Sequence, residues 1–281
     1  MWGEIIVALE VGLIYGILAL GIYLTFRIIN FPDLTCDGSF VLGAAVSSMM
    51  IKSGCDPYVS LASATIAGGI AGFFTGILNV RLKIEDLLSG IIVAFMLYSV
   101  NLKIMGGNPN ITFTNELSMF ADGGASGKIA AAVFIIVALA AYVLNTDFGL
   151  GMRSVGQNRQ FAAACGVNVK NTIIIGLIVS NALIGMGGAV FSQYQGLCDI
   201  SQGAGCLVTG LASVIIGEKI PGLKNVAGKV VACVLGSVIY RIFITLAIHC
   251  DIFALKTQDL NFITGIMMII LMATRRKKCC N

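Results

Sequence analysis

At 281 residues, with 57% hydrophobic side chains, 11% charged ones and a mean hydropathy of +0.93, the chain is too apolar for a water-soluble or a disordered domain. The nine cysteines lie mainly in or beside apolar runs, with no CxxC and no histidine at ligand spacing, so free buried thiols are expected rather than disulfides or a metal site, and the net charge of +4 is modest. What remains is an integral membrane protein, and its long, nearly uncharged runs rich in small residues predict an all-α polytopic bundle rather than a barrel of alternating strands.

In chain order, the run 5–26 follows no basic segment and is long enough to span by itself, so the first helix is expected to stay rather than be cleaved. Further apolar runs occupy 34–51, 58–80, 87–105, 129–144, 172–191, a short 205–217, 226–248 and 262–274. Together they predict nine crossings. Between the fifth and sixth lies a polar, glycine-punctuated island, DFGLGMRSVGQNRQFAAACGVNVKN over 147–171, with Arg153, Arg159 and Lys170 against a single Asp147. It is expected to be a loop holding a short helix. Two other connections stand out: the long loop 107–127, with Asn108, Pro109, Asn110 and Asn115 followed by Asp122, and the polar stretch 193–205, which runs straight into the short span.

Basic residues set the orientation, because Lys and Arg accumulate on the cytoplasmic side. Placing Arg275, Arg276, Lys277 and Lys278 inside also places Arg27, Arg81, Lys83, Arg153, Arg159, Lys170, Lys219, Lys224 and Lys229 inside. Only Lys52, Lys103, Lys128 and Lys256 fall outside, and Arg241 falls within a span. The expected topology is N-out and C-in, with the island in the cytoplasm.

Glycines and arginines recur at fixed offsets. Gly68, Gly76 and Arg81 match Gly228, Gly236 and Arg241 at 160; Gly38 and Gly43 match Gly205 and Gly210 at 167; Gly90-Ile91-Ile92 matches Gly265-Ile266-Met267 at 175. On the charge-based topology the matched spans run in opposite senses, so a single transmembrane domain over 1–281 is expected, with a first repeat at about 34–105 and an inverted second at about 200–274. Chance alignment of glycine-rich helices is the plain alternative. The 13-residue run 205–217 spans only ~20 Å of a ~30 Å hydrocarbon core. Its flanks must therefore enter the membrane unwound, and its mate starts on Pro32, Asp33, Asp37 and Gly38, which also oppose a continuous helix.

Here the residues resemble a known family. GLIYGILALGIYLTFRIINFPDLTCDGSF (12–40), LLSGIIVAFMLYSVNLKIMG (87–106), GMRSVGQN (151–158), SNALIGMGGAVFSQYQGLCD (180–199) and GLASVIIGE (210–218) are similar to the permease subunits of bacterial ABC importers related to the branched-chain amino acid and ribose permeases. The nearest likeness is to the branch described as tryptophan/tyrosine transport permeases, from which the chain departs at Cys36 and in the GGNPN turn at 106–110. The resemblance implies a pathway-forming subunit of the cytoplasmic membrane, without ATP site or cofactor of its own and without a nucleic-acid partner. It implies a homodimer served by two copies of an ATPase and by an external substrate-binding protein, and carrying an amino acid, aromatic or branched. A sugar or nucleoside permease and an ion-coupled secondary transporter are the alternatives.

The resemblance further implies a coupling helix in the island, for which Arg153, Gly156, Asn158, Arg159, Ala162, Ala163 and Gly166 are the candidates. The plain alternative is a loop whose charge only fixes topology. Asp37 is read as a helix cap or a substrate contact, and Gly38 and Gly205 as places where backbone N–H groups approach a ligand. Ser39, Ser89, Asn101, Asn181, Gln193 and Gln195 are further pathway candidates, with interhelical hydrogen bonding as their alternative role. Glu10 and Arg241 are costly in lipid and are expected to face protein or water. Tyr98, Phe191 and Tyr194 are either stacking platforms or interfacial belt residues.

Overall fold

The computed structural model describes residues 2–113, 118–120, 125–223, 225–249 and 265. The expected crossing at 262–274, the basic tail, Asn115 and Asp122 lie outside them, apart from Gly265. Among the described residues ten α-helices follow one another: α1 Trp2–Tyr23, α2 Thr35–Lys52, α3 Pro57–Val80, α4 Asp86–Ile104, α5 Ala125–Asn145, α6 Asp147–Gln157, α7 Arg159–Ala164, α8 Val169–Gln195, α9 Cys206–Glu218 and α10 Val226–His249. A π-helical turn, Leu24–Ile29, extends α1, and a 3-10 turn, Ile200–Gly203, precedes α9.

Local chemistry accounts for the ends. Asp56 accepts the Tyr58 N–H at 2.8 Å while Pro57 takes the first position of α3, where its missing N–H is no loss. Asn30, at φ 57°, closes the π turn in the left-handed region that asparagine tolerates, so α1 cannot continue into α2.

Seven helical stretches among the described residues are long and apolar enough to cross a membrane: α1 with its π turn, α3, α4, α5, α8, the 3-10 turn with α9, and α10. The 18-residue α2 is an inner helix of the bundle, with twelve of its residues buried. Two groups of three helices form the body. In one, α8 packs on α2 and α3; in the other, α1 packs on α9 and α10; α1 and α8 meet in the middle. The outer helices α4 and α5 lie against α2–α3 and against α1–α10 respectively.

Small residues bring the backbones together. A Cβ on Gly43 would lie 1.9 Å from Gly185 O, and one on Gly188 would lie 2.0 Å from Phe40 O, so α2 and α8 touch along their main chains. Gly236 of α10 approaches Ser213 O of α9 in the same way. Tyr15, Phe40 and Phe191 fill the centre with ring centroids 5.3–5.9 Å apart. At one end of the bundle the two polar connections noted in the sequence pair as a short antiparallel ribbon, β1 Asn110–Thr112 with β2 Leu197–Asp199, in which Ile111 faces Cys198.

The island differs from the loop expected. It is mostly helical, because the glycines that look like punctuation are contact points: a Cβ on Gly149 would meet Leu144 Cα at 2.4 Å, and one on Gly156 would meet Ile28 O at 1.9 Å. They let α6 lie flat against the end of α5 and the π turn, burying Met152 and Val155.

Candidate functional site

The two non-helical breaks, one before α2 and one before α9, come together. Asp37, in the first turn of α2, does not cap its own helix; its Oδ1 accepts the Leu207 N–H of α9 at 2.8 Å. Gly205, at φ 86°, sets the sharp start of α9, and Gly203 lies so close to α2 that a Cβ there would meet Asp37 O at 2.4 Å. A carboxylate on one broken element thus satisfies an orphan amide of the other.

Just before it, the buried Asp33 accepts the Thr35 N–H at 2.9 Å and the Asn181 amide at 2.7 Å. Asn181, at the midpoint of α8, also donates to Leu177 O and accepts the Ser39 hydroxyl at 2.7 Å. The Thr35 and Thr75 hydroxyls meet at 2.8 Å. Every arm of this network ends on a partner, which is what a polar cluster within an apolar bundle requires.

The sequence-predicted pathway candidates therefore separate. Ser39 and Asn181 lie inside the closed network. Gln193 braces the far ends of α2 and α3 through Ser47, Ser60 and Pro57 O, and accepts the Met119 N–H. Ser89 bonds within its own helix to Asp86 O, and the exposed Gln195 accepts the Gln202 amide. Asn101 donates to Gly38 O at 3.1 Å, and its buried Oδ1 has no partner among the described residues. Phe191 belongs to the central aromatic trio, whereas Tyr194 donates to Glu10 at 2.7 Å beside Phe120. The Arg241 guanidinium lies over the Tyr15 ring, 4.7 Å from its centroid. Asp37 is left at a surface of different character. It borders a cavity of about 420 Å³ whose other walls are Leu34 and, from α4, Ile91, Ala94, Phe95 and Tyr98.

At the end of the bundle marked by the Arg27–Glu218 ion pair stands the island. Arg153 bonds its own helix at Gly149 O. Asn158 ends α6 and caps α7, accepting the Gln160 and Phe161 N–H groups at 2.9 and 3.0 Å. Ala162 is the buried side of α7, while Ala163, Ala164 and Cys165 are exposed and Phe161 is 65% exposed. Gly166, at φ 86°, turns the chain back toward α8. Arg159 pairs within the chain, its Nη2 2.6 Å from Asp86 Oδ2, and Asp86 Oδ1 accepts the Asn79 amide at 2.6 Å. α7 is thus fastened to the first turn of α4.

Sequence reasoning did not single out Asp86, Ala94 or Phe95. Nothing local marks Ala94 and Phe95 among other apolar residues of a membrane helix; Asp86 carries the acidic first-turn signal, which is common to most helices.

Residues 5–272 match the family described as branched-chain amino acid transport system / permease component. The chain is 37% identical over 272 residues to the tyrosine transport system permease protein of Clostridioides difficile, covering 96% of this chain and 90% of that one. It is 32% identical to an uncharacterized protein of Rickettsia prowazekii, covering 98% of each. It is 27% identical to a probable branched-chain amino acid transport permease protein of Methanocaldococcus jannaschii, covering 95% of this chain and 88% of that one. No solved structure matches the chain significantly.

Proposed function

The chain belongs to the family of branched-chain amino acid transport system permease components, and from that premise we propose that its bundle forms the pathway of an importer for an amino acid with an aromatic or branched side chain. As a permease of the ABC type it is a multi-pass protein of the bacterial cytoplasmic membrane and is not itself catalytic. The amino-acid assignment is supported by the names of the relatives from Clostridioides difficile and Methanocaldococcus jannaschii.

Two copies of the permease form the unit, with two copies of a cytoplasmic ATPase below and a substrate-binding protein outside. The orientation is N-out, with nine crossings. In its support, Arg27, Arg159, Asp86 and Glu218 gather at one end of the bundle, and the ribbon of β1 and β2 lies at the other. The inverted repeat is supported by the way α8 embraces α2 and α3 as α1 embraces α9 and α10, with each inner helix starting at a break. Arg81 and Arg241 do not share a role, the first being exposed at the end of α3 and the second lying over Tyr15 within α10.

The observation that carries the coupling role is α7: a short, capped helix with an exposed apolar tip at Phe161, fixed at its base to α4 and to α6. It docks into the ATPase, and ATP-driven closure of the two motors moves α7 and, through it, the walls of the pathway. The test is Ala163→Glu, which places a charged side chain on the exposed tip. In proteoliposomes holding the assembled importer, ATP-driven uptake and substrate-stimulated ATP hydrolysis are both expected to be lost, while the purified permease melts at an unchanged temperature. Uptake at the unsubstituted rate would sink the assignment.

A further inference from the structure

Glu218 stands where a helix least favours a carboxylate. It is the last residue of α9, beside the carbonyls that no intrahelical N–H reaches and at the negative end of the helix dipole, and the last turn carries no basic residue. Arg27 of the π turn compensates it from 191 positions away, its Nη2 donating to Glu218 Oε2. Both side chains stay partly exposed, 32% each, and an ion pair in that setting adds little to the stability of a fold. The placement therefore calls for a reason other than stability.

The two bodies that the pair joins supply one. On one side, the π turn is in main-chain contact with the island, since a Cβ on Gly156 would lie 1.9 Å from Ile28 O. Asn158 alone separates α6 from α7, ending the first and capping the second, so a displacement of α7 reaches the π turn with no flexible segment between. On the other side, α9 is locked to α10: an added Cβ would lie 2.3 Å from Ala232 O at Gly217 and 2.1 Å from Ser213 O at Gly236. The first turn of α9 in turn holds Asp37 through the Leu207 N–H.

Between these bodies the contacts change along their length. Roughly 20 Å back along α1 from Arg27, Gly12 lies on the main chain of α10, where a Cβ would be 2.9 Å from Val238 Cα, and Ser237 donates to Gly12 O at 2.7 Å. Nearer the island, α1 meets α9 through the ends of side chains, Ile22 Cδ1 and Leu18 Cδ2 lying against Gly210. Main-chain contact resists sliding, whereas side-chain ends yield to it. The Gly12–Ser237 contact thus has the form of a pivot, and the Arg27–Glu218 pair ties the two bodies at the far end of the lever.

We propose that Arg27 and Glu218 are positioning residues of coupling: the pair hands the movement of α6 and α7 to α9, which swings about the Gly12–Ser237 pivot and shifts the Asp37–Leu207 contact between the two broken elements. The inference rests on the coupling role of α7 given above and adds a line of transmission to α9, distinct from the Arg159–Asp86 contact at the base of α4.

The test uses the assembled importer, with its ATPase and binding protein, in proteoliposomes, and L-tyrosine and L-leucine as probes. Glu218→Gln and Arg27→Gln each remove one charge, and Arg27→Glu combined with Glu218→Arg exchanges the two. Uptake per ATP hydrolysed is expected to fall about fivefold in either single variant, with basal ATP hydrolysis and the melting temperature of the purified permease unchanged, and to recover in the exchanged pair. A pair that only fastens the fold would lower the melting temperature and leave uptake per ATP of the folded protein untouched; that result overturns the link, as does failure of both single variants to fold. Where one of them folds, it decides together with the exchanged pair. If neither amino acid is carried, the amino-acid reading falls, and the fold stimulation of ATP hydrolysis by the binding protein decides instead: loss in the single variants with recovery in the exchanged pair supports the link, and unchanged stimulation overturns it. Ala163→Glu keeps the two readings apart. If it abolishes uptake while Glu218→Gln leaves uptake per ATP unchanged, the link fails and the coupling role of α7 stands; if neither substitution has an effect, both fail.

Discussion

Helices α8 and α4 both cross the bundle and both carry polar residues in apolar surroundings, yet their surroundings are opposite. The most apolar window of α8 is 61% buried and that of α4 is 28% buried. In α8, Asn181 sits at the midpoint with each polar atom engaged, and Ser180 donates to Gly21 O across to α1. In α4, Asn101 leaves its Oδ1 without a partner among the described residues, and Ala94, Phe95 and Tyr98 face open space beside Asp37. A polar residue within a membrane helix thus marks two distinct things: a satisfied group fastens helices, and only an unsatisfied one leaves chemistry for something that passes. By this criterion α8 is the frame of the molecule, and we propose α4 as its working wall.

If α8 is the frame, the largest effect comes from forcing it off α2. Gly188→Leu places a side chain where a Cβ alone would be 2.0 Å from Phe40 O, a backbone atom that cannot rotate away. Overpacking ordinarily costs about 1–3 kcal/mol, and a collision with main chain exceeds that range. The expected outcome is loss of folded permease from the membrane fraction, read by size-exclusion chromatography of the solubilised protein. A folded and transporting Gly188→Leu protein would show that α2 and α8 are free to separate, and the contrast with α4 would fail.

Next in size is Asn181→Leu, which keeps the volume but removes the donor to Asp33 and the acceptor for Ser39. Single polar contacts between membrane helices are worth about 0.6 kcal/mol on average, up to about 1.7. A buried carboxylate stripped of one of its hydrogen bonds costs more, about 2–4 kcal/mol. A clear fall in melting temperature is expected, and Ser39→Ala should lower it by less. Equal stability of Asn181→Leu would mean that the network is not what holds α2 to α8.

Much of this frame is legible from residues alone. The start of α3 is written in Asp56-Pro57, the shortness of α9 in a run too brief to cross, and the break before α2 in Pro32, Asp33 and Gly38. What is not legible depends on partners distant in sequence. Asp37 looks like the cap of its own helix, because sequence shows only its neighbours, and its actual acceptor role lies 170 residues away at Leu207. Asn181 and Asn101 look alike as isolated amides; only the packing tells a saturated one from one with an idle oxygen. The island looks like a loop because glycine both breaks helices and permits their close contact, and Gly149 and Gly156 do the second.

The smallest effect on stability, and the sharpest test of α4 as the working wall, lies at Arg159. The resemblance offers this arginine as a candidate of the coupling helix, whereas in the fold it binds Asp86 of the same chain, at the base of the helix that carries Ala94, Phe95 and Tyr98. An exposed ion pair is worth about 0–1 kcal/mol, so Arg159→Ala should scarcely change the melting temperature. If the pair links α7 to α4, the same substitution lowers uptake per ATP hydrolysed by about two- to fivefold, the size of a coupling energy near 0.5–1 kcal/mol. Arg159→Asp should do at least as much harm, and combining it with Asp86→Arg should restore uptake, because the pair is remade with its charges exchanged. An arginine that instead met a carboxylate of the motor would gain nothing from the exchange at Asp86. Restoration by the swapped pair therefore assigns the link to α4, and the absence of restoration assigns Arg159 to the ATPase and leaves α4 a wall that some other element must move.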